Sequence, residues 1–295
     1  MFSSLASLLL LGAISPPAAG PVLRPLPGIE VLSIAAPAEK RKPLLLPERL
    51  SASGMLLLDL QSGETLLSRN ENQRRKVASL TKIMTALLIL ENHNLNEIVP
   101  VPTLADGIRG SAVGLKAGEF FRIGDLLKAL LIPSANDAAY ALAIDDAGSV
   151  SRFVERMNKR ASSLGLKNTH FTNPAGLDST EQYSSVRDLS WLTIAALKHP
   201  VFRKIVSTKS GTIEATTGQS FDLRNTNELL HENPHVFGVK TGTTDLAGEC
   251  LIVLFEEEHR PYLLVLIGSN DRYTDSLYLL TALRKALSEN VALEQ

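Results

Sequence analysis

Residues 248–269 read GECLIVLFEEEHRPYLLVLIGS. Two apolar runs, GECLIVLF and PYLLVLIGS, flank a charged turn, EEEHR. Both have strand length, and the second is rich in Leu and Val, so the stretch predicts a buried antiparallel hairpin. A hairpin this apolar needs more strands beside it. GMLLLDL (54–60) and TLLSRN (65–70) supply them, separated by a polar break with Gly63. Helical patterns fill the space between the two pairs. SLTKIMTALLILEN, from Ser79, reads as one buried helix. Gly124–Ile132, stopped by Pro133, and Asp137–Ala147 read as two more. MNKRASSLGL, ending at Gly165, and DLSWLTIAALK follow, and a last helix runs from about Thr274 to Leu287. Strands, then helices, then strands and a closing helix predict an α+β fold. One antiparallel sheet is built from both chain ends with flanking helices, and a helical subdomain is inserted at about 79–200.

Composition narrows the function. The chain has 295 residues, 44% apolar and 21% charged, which is enough to bury a core and excludes wholesale disorder. Thirty Lys and Arg against 31 Asp and Glu leave a net charge of −1, so no basic surplus exists to meet nucleic acid. A single cysteine, Cys250, excludes an internal disulfide and a cysteine-based zinc cluster. The close histidine pair, His231 and His235, has Pro234 between its members, which argues against a helical ligand pair, and no metal site is expected.

The first fifty residues differ from the rest and hold eight of the fifteen prolines. LASLLLLGAI (5–14) is half of the ~20 residues that a membrane-crossing helix needs, but it suits the apolar region of a signal peptide, with small residues after it. The first basic residue, Arg24, comes late for that reading, and a short apolar segment packed on the fold is the other one. The expected organisation is a signal peptide at 1–20, a Pro-rich linker at 21–50 and one catalytic domain at 51–290. Export to a periplasmic or other extracytoplasmic place follows, with no transmembrane anchor after signal removal.

Three short motifs carry chemistry. In Ser79-Leu80-Thr81-Lys82 the serine and lysine are three apart, on one face at a helix start. A serine hydroxyl needs a base, and a lysine among Ile83, Met84, Leu87 and Leu88 can be neutral enough to act as one. Alone, this spacing is weak and common, and an N-cap serine beside an exposed lysine is the plainer reading of it. Ser134-Ala135-Asn136 follows Pro133 between two helices, where Ser134 can relay a proton and Asn136 can bond Lys82 or a substrate carbonyl; a polar helix cap explains it too. Lys240-Thr241-Gly242 precedes the hairpin on a strand at one side of a cleft. It offers a cation and a hydroxyl to a carboxylate, with a glycine that admits close backbone approach; a tight turn is the plainer reading. Ser134 lies 55 positions beyond Ser79, and Lys240 lies 104 beyond Asn136. β-Lactamases and penicillin-binding proteins share such a trio, with aspartate in the middle motif.

With these motifs in that order, the chain resembles the low-molecular-mass D-alanyl-D-alanine carboxypeptidases, penicillin-binding serine peptidases with a β-lactamase/transpeptidase-like fold. ASLTKIMTALLILE, LLKALLIPSANDAAYALA, FVERMNKRASSLGLKNTHFTNPAGLD, NTNELL and GVKTGTTDLAGECL carry the likeness, which covers about residues 52–288. The resemblance implies Ser79 as the acylated nucleophile, Lys82 as its base, and Ser134 with Asn136 as a second wall. Lys240, Thr241 and Gly242 are then the third wall, and the backbone N–H groups of Ser79 and Thr243 the oxyanion hole. Arg272 holds the terminal carboxylate, or is a surface charge at a helix start. The implied substrate is the peptidoglycan stem peptide, the implied covalent inhibitors are β-lactams, and no cofactor is needed.

Val77, Phe237 and YSSVRDL (183–189) depart from the family pattern, each away from the proposed catalytic atoms. The chain stops at Gln295, where many such carboxypeptidases continue into a β-rich domain and an amphipathic anchor. That compact form resembles the branch of endopeptidases that cut D-Ala cross-links. A penicillin-binding sensor without turnover is a third use of the same cleft. A β-lactamase needs a deacylating glutamate after the middle motif, and Glu181 is the only one in TNPAGLDSTEQYSS.

Overall fold

The computed structural model describes residues 49–291; the expected signal peptide and all but the last two residues of the expected linker lie outside them. The chain enters through β1 (Gly54–Asp59), turns at Gly63 and returns as β2 (Thr65–Arg69). A 3-10 turn (Ala78–Thr81) then leads directly into α1 (Lys82–Asn92). Eight consecutive residues of α1, Lys82 to Ile89, are buried, as its all-round apolar sequence requires. β3 (Ile98–Pro100) and β4 (Phe120–Arg122) make a short ribbon, and α2 (Ile123–Leu131), α3 (Asn136–Ala147) and α4 (Val150–Ser163) follow. In α4, Phe153, Met157 and Ala161 recur every four residues and form the buried stripe, while Ser149 caps the Arg152 N–H. α5 (Val186–Leu197), α6 (Pro200–Val206), a second ribbon of β5 (Ser210–Glu214) and β6 (Ser220–Arg224), and α7 (Glu228–Glu232) complete the insertion. The chain then runs through β7 (Val236–Thr244), β8 (Gly248–Glu257), β9 (Arg260–Ser269) and α8 (Arg272–Val291).

β8 and β9 are the hairpin that the apolar runs predict. Its two-residue turn, Glu258-His259, has positive φ at both positions (50° and 61°), the geometry that matches the twist of the strands. The five-stranded sheet has the order β2-β1-β9-β8-β7 and is antiparallel throughout. The fold is therefore α+β with a sheet from both chain ends, as the sequence predicts.

Both faces of the sheet are covered, which is why its strands read as nearly unbroken apolar runs. One face, with Leu56, Leu58, Ile252, Leu254, Val265 and Ile267, belongs to the core that includes the α1 and α5 side chains. The other, with Met55, Leu57, Leu251, Val253, Leu264 and Leu266, packs with Leu279, Leu280, Leu283 and Leu287 of α8. The segment between β2 and β7 carries two features that the sequence patterns do not show. The ribbons β3–β4 and β5–β6 are short, and strands of three to five residues give too few alternations to stand out from loops.

Candidate active site

The site begins where the 3-10 turn meets α1. In a 3-10 turn residues three apart eclipse, so Ser79 and Lys82 project to the same side. Lys82 Nζ lies 2.7 Å from Ser79 Oγ. Ser79 follows Ala78, a non-glycine residue at φ 48°, and two glycines hold this strained backbone in place. A Cβ on Gly176 would stand 1.9 Å from the Ala78 carbonyl oxygen, and one on Gly242 would stand 2.8 Å from the Ser79 nitrogen. The close approach that Gly242 permits is thus to the protein's own backbone, where the sequence suggested a ligand.

Lys82 is wholly buried, and its amine has two further partners besides Ser79. Nζ donates to Asn136 Oδ1 and to the Ala175 carbonyl, both at 2.7 Å. The Asn136 amide cannot be reversed, because its Nδ2 donates to the Arg109 carbonyl at 2.7 Å. Ala175 is fixed in turn by Asn173, whose Oδ1 accepts the N–H groups of Ala175, Gly176 and Leu177. Nζ thus faces two obligate acceptors and one hydroxyl that can donate or accept; when the amine is neutral, its two N–H groups serve the acceptors and its lone pair is left for the serine proton. Burial is the first cause that holds Lys82 well below the ordinary lysine range; the Lys240 charge adds to it, and Asp137 opposes it.

The second wall is the turn between α2 and α3. Ser134 has φ 67°, and its Oγ is buried with no hydrogen-bond partner among the described residues. Asn136 does not cap α3 with its side chain, whereas Asp137 Oδ1 accepts the Ala138 N–H of the first turn at 2.9 Å. The α3 N-cap is Ala135, Asn136 serves Lys82, and the Asp137 carboxylate accepts the N–H groups of Val113, Gly114 and Leu115. Asn136 N–H donates to the Ser111 carbonyl at 2.7 Å, so α3 also holds the loop that forms the rim of the cleft.

β7, an edge strand, is the third wall. Thr241 Oγ1 lies 2.5 Å from Thr226 Oγ1. Lys240 is 1% exposed, and its Nζ donates to the Thr241 carbonyl at 3.1 Å. Burial, helped by the Arg272 charge, lowers its pKa to about 7. Arg272 is not a surface charge: it is 7% exposed and braces the strand. Its Nη1 donates to the Gly242 and Cys250 carbonyls at 3.0 Å each, its Nη2 donates to Thr243 Oγ1, and its Nε donates to Glu249 Oε2 at 3.0 Å.

Ser79, Ser134, Thr241, Gly242, Thr243 and Arg272 line one cleft of about 260 Å³, with Ser111, Thr226, Glu249 and Tyr273 at its remaining sides. Lys82 bonds Ser79, Asn136 bonds Lys82, and Lys240 is buried without lining the cleft. Eight of the nine residues singled out in the sequence thus line the cleft or bond directly or through Lys82 to Ser79, and Lys240 is the exception. Asn173, Ala175 and Gly176 were missed; the Asn-Pro pair and glycine of TNPAGLD mark a turn, but not that the turn holds an amine. Thr226 and Glu249 lie within the quoted blocks NTNELL and GVKTGTTDLAGECL, but nothing marked them individually, and Tyr273 lies outside those blocks. Glu181 is exposed and does not line the cleft.

A cleft-lining serine bonded to a buried lysine at the start of a central helix, walled by a Lys-Thr-Gly edge strand on this sheet, defines the class of penicillin-binding serine peptidases. The chain belongs to the D-alanyl-D-alanine carboxypeptidase family, whose model matches residues 39–271. It is similar to a D-alanyl-D-alanine carboxypeptidase of Bacillus subtilis, with 37% identity over 74% of this chain and 58% of that protein. It is also similar to a D-alanyl-D-alanine endopeptidase of Pseudomonas aeruginosa, with 31% identity over 82% of this chain and 79% of the relative. The crystal structure of a Streptomyces DD-transpeptidase superposes with a TM-score of 0.74 at 31% identity, covering 81% of this chain and 98% of that one. The chain therefore spans little more than half of the Bacillus relative and nearly all of the Streptomyces structure.

Proposed function

We propose that this chain is a serine-type D-alanyl-D-alanine carboxypeptidase that trims peptidoglycan stem peptides through an acyl-enzyme on Ser79. The observation that carries the reading is the Lys82 amine at 2.7 Å from Ser79 Oγ, with its other two contacts made to obligate acceptors. In the proposed sequence Lys82 takes the Ser79 proton as Oγ attacks the D-Ala-D-Ala carbonyl. The N–H groups of Ser79 and Thr243 receive the oxyanion, and donors of this kind are worth about 3–4 kcal/mol each. Lys82, now an ammonium, returns the proton through Ser134 to the departing amine. Terminal D-alanine leaves, and water then hydrolyses the Ser79 ester. Thr241 and Arg272 face the terminal carboxylate, and buried Lys240 adds positive potential nearby when protonated. β-Lactams acylate the same serine.

Two finer readings go with this one. The chain acts outside the cytoplasm after loss of residues 1–20, leaving the Pro-rich linker ahead of the catalytic domain at 51–290. Among the described residues no helix is long and apolar enough to cross a membrane. The second reading of the site is cleavage of D-Ala cross-links, favoured by the likeness to the Pseudomonas endopeptidase.

Labelling with a fluorescent penicillin, followed by mass analysis of muropeptides, tests both. The expected result is a label lost in Ser79→Ala and a loss of one alanine from monomers. Conversion of dimers to monomers supports the endopeptidase reading. Equal label on Ser79→Ala removes the acyl-enzyme, and labelling without any turnover makes the chain a sensor.

A further inference from the structure

Thr226 sits at the junction of the second and third walls of the cleft. Its backbone N–H donates to the Ile132 carbonyl at 3.2 Å, two residues ahead of Ser134. Its own carbonyl accepts the Tyr273 hydroxyl of α8 at 2.9 Å, and that hydroxyl also accepts the Glu228 N–H at 3.2 Å. The Thr226 backbone is thus held from both sides, and its hydroxyl lies against Thr241 Oγ1 at 2.5 Å.

Each threonine hydroxyl has one proton, and only one proton fits between the two oxygens. If Thr241 donates to Thr226, Thr241 presents only a lone pair to the cleft. If Thr226 donates to Thr241, the Thr241 O–H is released to point elsewhere, and the chain of two hydroxyls polarises it. An anion beside Thr241 selects the second order. We propose that Thr226 is a positioning residue for carboxylate recognition: its hydroxyl donates to Thr241 Oγ1 and so turns the Thr241 O–H toward the terminal carboxylate of the substrate. Thr226 shares no hydrogen bond with Ser79 or Lys82, so its effect falls on the anionic end of the ligand rather than on acyl transfer. The inference rests on the reading of the cleft as a D-Ala-D-Ala site.

The test uses the full chain and two acyl-D-alanyl thioesters. One has a leaving group that ends in a carboxylate, and the other has the matching carboxamide. Thr226→Val is expected to raise KM for the carboxylate thioester about fivefold, the scale of the one hydrogen bond between neutral hydroxyls that it removes. It should change kcat less than about threefold and leave the carboxamide KM within about twofold. Thr226→Ser, which keeps the hydroxyl, should restore the carboxylate KM. Thr226→Ala removes the hydroxyl with a different local shape and should give the same split as Thr226→Val, which covers a valine variant that folds poorly. Equal losses on both thioesters, an unchanged carboxylate KM, or a serine variant that behaves like valine overturns the proposal and leaves the reading of the site standing. A wild-type chain that turns over neither thioester overturns both.

Discussion

Gly176→Ala tests how the backbone of Ser79, the proposed nucleophile, is held. Gly176 has φ 86°, a backbone that costs an L-residue roughly 1–2 kcal/mol. The added methyl would also stand 1.9 Å from the Ala78 oxygen, 2.4 Å from the Ala78 carbonyl carbon and 2.9 Å from the Ser79 nitrogen. Cβ contacts under 3.0 Å are essentially never found, so the two segments must part by at least 1.1 Å (3.0 minus 1.9). These neighbours are backbone atoms, so no side chain can swing away. Overpacking of this kind adds about 1–3 kcal/mol. Because the displaced atoms belong to Ala78 and Ser79, a shift of this size should slow acylation about 100-fold. Gly148→Ala is the control. It has a similar φ of 74° but nothing within 4 Å of the new methyl, so it isolates the backbone strain. Calorimetric melting and stopped-flow acylation by a fluorescent penicillin read the two variants. The expected result is a modest melting loss with wild-type acylation for Gly148→Ala, and a larger loss with slow acylation for Gly176→Ala. If Gly176→Ala acylates at the wild-type rate and melts no lower than the control, the reasoning fails.

Two further predictions concern the buried amines. Asn136→Asp places a carboxylate where Oδ1 now lies 2.7 Å from Lys82 Nζ, which favours the ammonium and should move the pH–rate profile of acylation about 1–3 units toward alkali; an unmoved profile contradicts a neutral-lysine base. Lys240 has a pKa of about 7 in the fold against an ordinary 10.5, so the unfolded chain binds more protons between those values and stability should rise with pH from about 7 to 10.5. Lys240→Met should flatten part of that rise in melting temperature, and an unchanged slope argues that Lys240 is not desolvated.

The strands of the main sheet were legible because both faces are buried and their sequences are nearly continuous runs of Leu, Val and Ile. The helices were legible from their stops, Pro133 and Gly165 among them. Ser79 and Lys82 showed through their spacing, which is local. The partners of Lys82 were another matter. Ala175 holds the amine with a carbonyl, a group that every residue has, so no residue type announces it. Asn136 was visible as a polar residue, but the alternative of a helix cap was settled only by the three-dimensional contacts of Nδ2 and Oδ1. Arg272 showed the same ambiguity: a charge at a helix start is usually solvated, and only the packing of α8 against β8 turns it inward. The Thr226–Thr241 pair joins residues 15 apart across a helix and a turn, a juxtaposition no periodicity encodes.

The order of the sheet has a consequence for how the chain comes to work at all. β1 meets β9 across 205 positions at the Leu58–Leu263 pair, and β9 carries β8, which carries β7. Closing so long a loop is slow relative to forming local helices. Until the last strands arrive there is no Gly242 to confine the Ser79 backbone and no Arg272 to brace the strand beside it. On the proposed acyl-enzyme reading, a growing or half-threaded chain lacks a positioned nucleophile, and reactivity toward an acylating drug would count the molecules that have finished folding.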